Sequence, residues 1–336
     1  MILVTGGTGL LGAHLLYRLV KKGEPVRAIF RNQQNIQNTR QVFECYSYSD
    51  SSLFQNIEWV EADLLDIPAL LEAFKDITHV YHCAALVSFE PYKYHSLRRI
   101  NIEGTANIVN ICLDKSIQKL CYVSSIATLG SPIKNETVTE QTFWNPEDDN
   151  SVYGITKFGA EMEVWRGTQE GLDAVIVNPG VILGAGIWHY GSGSLFKKAY
   201  NGFKYYPKGS AALVAVEDVT NIMIQLMHSQ IKNERYVLVA ENWSYKRFLS
   251  ALAQSVNKKA PQKIASNLLL QVAWRADWLL RLLFGRRRQL TKQVVKSLRT
   301  TKIYSSEKIE TQLDYSFKPI EKTIKDLGHL YLKQVQ

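Results

Sequence analysis

Apolar and polar positions along the chain fall into two alternating rhythms. Residues 2–5 (ILVT) form a short apolar, β-branched run that suits a buried strand. A glycine-rich stretch, TGGTGLLG at 5–12, follows. Residues 13–23 then place Leu15, Leu16, Leu19 and Val20 at helical spacing and end on Gly23, a helix stop. The same beat recurs. Strands are predicted at 26–31, 57–64, 79–86, 119–125 and 172–180, and helices at 68–75, 97–115 and 153–170. Residues 32–56 are polar and irregular, with weak helical content at best. Beyond Gly180 the pattern loosens. Residues 212–227 read as a short strand feeding a helix that returns to the core, 234–240 as a further core strand, and helical periodicity dominates from Asn242 onward.

Strands that alternate with helices imply an α/β fold, a Rossmann-type doubly wound parallel sheet. Ligands bind such sheets in the crevice where the strand order reverses. The organisation expected is a dinucleotide-binding core of 1–180, with 212–240 returning to it, and a smaller, mostly helical C-terminal substrate-binding part made of 181–211 and 242–336.

The strand, glycine turn and helix at 2–20 have the makings of a phosphate site. Glycines let the backbone turn tightly and approach a pyrophosphate, and the helix start offers free N–H groups and partial positive charge. Candidate acid–base chemistry comes from Tyr-x-x-x-Lys, because residues at i and i+4 share a helix face and an ammonium favours a phenolate. The chain holds four such pairs: Tyr17/Lys21, Tyr153/Lys157, Tyr200/Lys204 and Tyr304/Lys308. Only Tyr153 opens a helix just after a strand end carrying Ser124 and Ser125, which brings hydroxyl, phenol and ammonium to the crevice together.

The spacing Gly6-x-x-Gly9-x-x-Gly12 resembles the fingerprint of short-chain dehydrogenases, and the resemblance continues in order along about 1–240: EADLLD at 61–66, HCAA at 82–85, NIEGTANI around Asn101, CYVSSIATLG at 121–130 and NPG at 178–180. The chain is thus similar to the extended short-chain dehydrogenases/reductases, within the NAD-dependent epimerase/dehydratase superfamily. Its segments HCAALVSF and YVSSIATLG are nearest to those of the dihydroflavonol reductase-like and 3β-hydroxysteroid dehydrogenase-like branches. The resemblance implies a catalytic group of Ser125, Tyr153 and Lys157. Tyr153 would move the proton, Lys157 would lower its pKa and hold the nicotinamide ribose, and Ser125, with Ser124 as the alternative, would hold the substrate oxygen. It implies cofactor contacts from Gly6, Gly9, Leu10, Leu11, Gly12, Asp63, Leu64, Ala84, Ala85, Asn101, Ser124, Tyr153, Lys157 and Pro179. No metal site is expected.

The second strand ends at Phe30-Arg31-Asn32, with no acidic residue to receive a ribose 2′-OH. Arg31 offers a guanidinium suited to a 2′-phosphate, so NADP(H) is favoured, with NAD(H) the alternative. The activity expected is carbonyl reduction, or oxidation of a secondary alcohol. A nucleotide-sugar epimerase with tightly held NAD shares the core. Such enzymes usually carry an arginine before the strand-six proline and a tyrosine in the next turn, where this chain has Asn178 and Leu183-Gly184. Dehydratases carry an Asp–Glu pair where Ile126-Ala127 stand. A non-catalytic dinucleotide-binding protein is the third reading.

Composition changes this picture in two places. The net charge of +9 belongs to one segment: residues 260–308 hold 11 Lys/Arg and 2 Asp/Glu, and the rest holds 29 of each. Basicity so confined is no global nucleic-acid signature, and no nucleic-acid partner is expected. Inside that segment lies NLLLQVAWRADWLLRLLFGRRR, 267–288. It reads as a lid helix packed against the core, with Trp274, Trp278 and Phe284 lining an apolar pocket, in preference to an amphipathic helix in peripheral contact with a membrane. Cys45, Cys83, Cys112 and Cys121 show no paired spacing and read as buried reduced thiols, which points to a cytoplasmic location. No signal peptide or spanning helix is expected. By the family analogy, a homodimer would form through the helices at 97–115 and 153–170.

Overall fold

The computed structural model describes residues 1–46, 51–131, 136–284, 288 and 290–335. Seven strands make the central sheet: β1 (Ile2–Thr5), β2 (Val26–Phe30), β3 (Ile57–Glu61), β4 (His79–His82), β5 (Lys119–Val123), β6 (Ala174–Pro179) and, after a small detour, a strand at Glu234–Leu238. The detour contains β7 (Val181–Leu183), β8 (Tyr205–Tyr206) and β9 (Ser210–Ala215), so the seventh sheet strand is β10; β11 (Glu241–Ser244) and β12 (Lys263–Ile264) follow. The order β10-β6-β5-β4-β1-β2-β3 is parallel throughout and reverses between β1 and β4. That reversal opens the crevice at the carboxyl ends of those two strands.

Helices α1 (Leu10–Lys21), α2 (Ile36–Tyr46), α3 (Ser51–Gln55), α4 (Ile67–Ala73), α5 (Tyr94–Leu97), α6 (Gly104–Asp114) and α7 (Val152–Gln169) connect the strands. Then come α8 (Ser194–Tyr200), α9 (Val216–His228), α10 (Tyr245–Ser255), α11 (Asn267–Phe284), α12 (Lys292–Ser297), α13 (Glu307–Leu313) and α14 (Ile320–Val335). Strand residues alternate between the two faces. Ile2 and Val4 join α1, α2 and α9 in one core, while Leu3, Val80 and Leu120 join α4, α6 and α7 in the other. Burial on both faces explains why these strands read as apolar runs.

The described residues of 32–56 hold more helix than their composition suggests. Thr39, Val42 and Phe43 are buried at helical spacing in α2. The Tyr46 ring stacks on Tyr17 of α1 at 4.0 Å, and Phe43 meets Tyr17 edge-on at 5.2 Å. Contact with α1, not local propensity, makes this helix.

Between α5 and α6 the chain takes a π-helical turn, Arg98–Glu103. It turns Asn101 inward, where the side chain receives the Leu86 N–H (2.7 Å) and donates to the Leu86 carbonyl (3.0 Å) and Thr156 Oγ1 (3.1 Å).

The second part is less purely helical than its periodicity implies. β9 pairs with β7 and with β11 in a three-stranded sheet of its own, and β12 pairs with β8. That small sheet packs with α8, α10 and α14 around Trp243, Phe248 and Tyr331. The returning α9 lies instead against α1, and Arg18 donates to Asn221 at 2.6 Å. Among the described residues no helix is long and apolar enough to cross a membrane.

Candidate active site

The glycine turn shows why its spacing matters. Gly6 has φ +70°, and a Cβ there would lie 2.6 Å from the Ala84 nitrogen, so any side chain would push β1 away from the end of β4. A Cβ on Gly12 would lie 2.2 Å from the Gly6 carbonyl oxygen. The turn therefore presses α1 onto the strand end. Helix α1 starts without a side-chain cap and without an acidic residue in its first turn. Its opening N–H groups and dipole are left for an anion, which fits the pyrophosphate of a dinucleotide.

Side chains behind the turn fix it. Thr5 Oγ1 lies 2.6 Å from His82 Nδ1 and receives the Ala84 N–H at 3.2 Å, while His82 Nε2 meets Thr105 Oγ1 at 3.0 Å. Burial, helped by the Lys157 ammonium, pushes His82 down to about 3, so it joins β1, β4 and α6 as a neutral ring. From α2, Thr39 Oγ1 donates to the Gly7 carbonyl at 2.9 Å.

The crevice has two lobes. The inner lobe, about 300 Å³, is bordered by Gly6, Gly9, Arg31, Asp63, Leu64, Ala84 and Ala85. Arg31 Nη1 sits 3.6 Å from Asp63 Oδ2 and remains more than half exposed, a cation at the rim. The outer lobe, about 790 Å³, is bordered by Leu10, Leu11, Gly12, Ser124, Ser125, Tyr153, Lys157 and Pro179. Of the residues expected at a cofactor, Asn101 alone borders neither lobe: it is buried behind the wall, clamping the strand β4 exit to α7. Its role here is to hold the wall in place.

The two serines face different partners. Ser124 Oγ donates to Glu161 Oε2 at 2.5 Å. The fully buried Glu161 carboxylate also accepts from Thr128 Oγ1 (2.8 Å) and Asn178 Nδ2 (2.9 Å) and pairs with Arg235 at 3.0 Å. A buried carboxylate so fully partnered is a rigid post, and it stands one helical turn after Lys157. Ser125 caps the short turn that follows by receiving the Ala127 N–H at 3.1 Å, and it borders the outer lobe together with Tyr153, whose pKa its hydroxyl pulls down. Ser125 is therefore the serine that meets the phenol, while Ser124 supports it from behind.

Tyr153 opens α7, where Ser151 caps the helix by receiving the Gly154 N–H at 2.9 Å. Burial raises its pKa, and the Ser125 hydrogen bond pulls the other way. Lys157 lies on the same helix face and is buried. Its ammonium donates to the Tyr122 hydroxyl (2.5 Å) and the Val123 carbonyl (2.8 Å) and sits over the Tyr122 ring. Burial lowers Lys157 to about 7, against the pull of Glu161. The expected lowering of Tyr153 comes from the Ser125 hydroxyl, while the Lys157 ammonium is held by Tyr122 and the Val123 carbonyl.

Sequence reasoning missed Tyr122, Glu161, Arg235 and Tyr190. Tyr190, from the irregular segment after β7, borders both lobes, and its hydroxyl donates to the Thr8 carbonyl at 3.3 Å. A loop tyrosine carries no periodic signal, and buried ion pairs join residues far apart in the chain. Trp274 and Trp278 edge a surface groove away from this crevice, and Phe284 is exposed, so the apolar pocket expected of them does not form at the site.

The family model described as NAD dependent epimerase/dehydratase family matches residues 2–238. A putative dihydroflavonol 4-reductase of Synechocystis is 27% identical over 335 residues, covering 98% of this chain and 93% of the relative. Sterol demethylase protein B of Methylococcus capsulatus is 27% identical over 292 residues, covering 85% and 84%. Among solved structures, the UDP-glucose 4-epimerase of Thermus thermophilus in complex with NAD superimposes with a TM-score of 0.73 at 19% identity, covering 98% of each chain.

Proposed function

The chain belongs to the NAD dependent epimerase/dehydratase family, and from that premise we propose that it reduces an apolar carbonyl, or oxidises the matching secondary alcohol, with NADP(H) as its preferred cofactor. It is an NAD(P)-dependent oxidoreductase of the extended short-chain dehydrogenase/reductase type. The observation that carries the finer reading is that Ser125, Tyr153, Lys157 and the start of α1 all border one lobe.

The dinucleotide would lie along the glycine turn, held by the first-turn N–H groups of α1, with Arg31 beside the adenosine ribose. When bound, it supplies or receives the hydride. The protein's own part is the proton and the oxygen. Tyr153 Oη donates its proton to the carbonyl oxygen as negative charge builds there, and Ser125 Oγ donates a hydrogen bond to the same oxygen. Lys157 keeps a cation within the lobe and sets the position of Tyr122 and the β5 end. Glu161 holds Ser124 and so fixes the turn that presents Ser125. Arg31 supports NADP(H), since a guanidinium suits a phosphate and no acid follows β2.

The apolar substrate rests on the walls of the outer lobe, where Val87, Phe89, Ile182 and Val294 stand, and on relatives whose names refer to a sterol and a dihydroflavonol. A reducing, cytoplasmic setting rests on four unpaired thiols. A homodimer through α6 and α7 rests on the exposed Ile155 and Met162 of α7.

The test is Tyr153→Phe. Turnover of a ketone panel should fall by about 10²–10⁴-fold, while NADPH titration, followed by its fluorescence, stays unchanged. A variant that keeps its turnover removes Tyr153 from the mechanism. Retention of NAD through purification would point instead to the epimerase reading.

A further inference from the structure

Helix α11 is built inside out. Of its 18 residues, Leu270 is the buried one. Leu268 and Val272, and then Leu279 and Leu283, lie four apart on one face and are exposed, Leu268 at 75% and Leu283 at 63%, and Leu282 and Phe284 flank them at 67% each. Two of the three charged side chains, Asp277 and Arg281, point the other way, while Arg275 lies exposed between Val272 and Leu279 with its guanidinium on the Trp274 ring. Asp277 receives the Leu290 N–H at 3.2 Å and pairs with Arg288 at 3.5 Å, and the Arg281 guanidinium lies 3.5 Å from the centre of the Tyr92 ring. A helix facing water has the reverse arrangement. Scattered exposed leucines are ordinary, but apolar side chains gathered on one helix face mark a surface made to be covered.

We propose that α11 docks the protein on an anionic membrane surface, lying flat with its outward stripe among the lipid chains. Charge selects this occupant. Residues 260–308 carry 11 Lys/Arg against 2 Asp/Glu, so the chain's entire net +9 falls in the stretch of sequence that contains the helix. A second copy would set that charge against itself, whereas an anionic leaflet attracts it. At 18 residues the helix is about 27 Å long, and the apolar face of a helix lying in the interface needs to sink only about 5–10 Å. Gly285, Arg286 and Arg287 lie outside the described residues and enter only as sequence.

Docking also sets where the crevice opens. Arg281 rests on Tyr92, whose hydroxyl donates to Glu90, a residue of the outer lobe. The chain leaving α11 borders the same lobe through Arg288, Thr291 and Val294. A lipophilic substrate would therefore reach the lobe from the bilayer side. This last point rests on the proposed apolar substrate; the docking does not.

Flotation of the full chain with phosphatidylcholine vesicles, with and without phosphatidylserine, tests the docking separately from turnover. The protein should float with the serine-containing vesicles and weaken with added salt. The double variant Leu279→Glu/Leu283→Glu should bind them tenfold or more weakly, on the order expected for replacing two buried leucines by charges. Its NADPH binding should be unchanged, because both side chains are exposed. In the wild type, brominated lipid should quench fluorescence that Trp278→Phe removes, a readout independent of whether the double variant folds. Equal flotation of wild type and a folded double variant, no flotation at any composition, or quenching indifferent to Trp278 would overturn the proposal. So would a wild-type dimer that the double variant splits, which would make a second copy the cover.

Discussion

Helices α1 and α11 are both rich in leucine, and they use it in opposite directions. α1 buries Leu11, Leu15, Leu16, Leu19 and Val20 against the sheet and α9. α11 buries Leu270 and leaves its other leucines outside. Each also turns a polar group inward and satisfies it. In α1 that group is His14, whose Nε2 donates to the Ala185 carbonyl (3.0 Å) while Nδ1 receives the Tyr46 hydroxyl (2.5 Å). In α11 the groups are Asp277 and Arg281. Periodicity gives the width of an apolar face; it does not say whether that face meets the protein or something else. The tertiary partners decide, and α1 has a parallel sheet beneath it while, among the described residues, α11 packs on the small cluster of Leu270, Ala265 and Val295 with Trp274 and Leu290.

The contrast can be broken most severely at Gly12. Gly12→Val places a side chain on backbone 2.2 Å away, so α1 must leave the strand end. The expected cost is at or above about 4 kcal/mol, in the range of exceptional mutations, with loss of NADPH binding. Urea unfolding and cofactor titration would measure both, and a stable, binding-competent variant would show that the close packing of the turn is dispensable. Paired truncations sharpen the comparison directly. Leu15→Ala should destabilise by about 3 kcal/mol or more, whereas Leu279→Ala should stay within about 0.5 kcal/mol. Similar shifts in urea midpoint for the two would mean that α11 is packed after all.

His14 makes the comparison depend on pH. Burial lowers it from 6.5 to about 4, so the unfolded chain takes up a proton that the folded chain refuses. Stability is therefore complete above about pH 6.5 and declines as pH falls from there toward about 4, by on the order of 2–3 kcal/mol from this group. His14→Gln should flatten that part of the profile; an unchanged slope would assign the loss to other groups, such as His82. A smaller effect, on binding and not on stability, is expected across the crevice from α1. Arg31→Asp should weaken NADPH relative to NADH about tenfold, roughly 1.4 kcal/mol, and an unaltered preference would remove Arg31 from the cofactor site.

What was legible in the sequence was local. The glycine turn, the strand–helix alternation and the Tyr153/Lys157 spacing each sit within a few residues, and each appears where the spacing puts it. What was not legible needed distant partners. The α2 helix depends on Tyr17, the post under Ser124 on the meeting of Glu161 with Arg235 from another strand, and the hold on Lys157 on Tyr122. Asn101 carried the right residue type for a cofactor contact, but a π-helical turn directs it into the wall instead.

That turn has a hereditary consequence. A π-helical turn is what one extra residue makes of an α-helix, and every residue in a helix accounts for about 100° of rotation. Removing one position from 98–103 would restore regular winding; the wide turn absorbs the extra residue, so the turns on either side would keep their facing while the bulge that carries Asn101 inward disappeared. The Asn101 clamp on Leu86 would be lost, and with it the fixed exit of β4. Descendants of this gene can exchange the residues of the turn more freely than they can change its length.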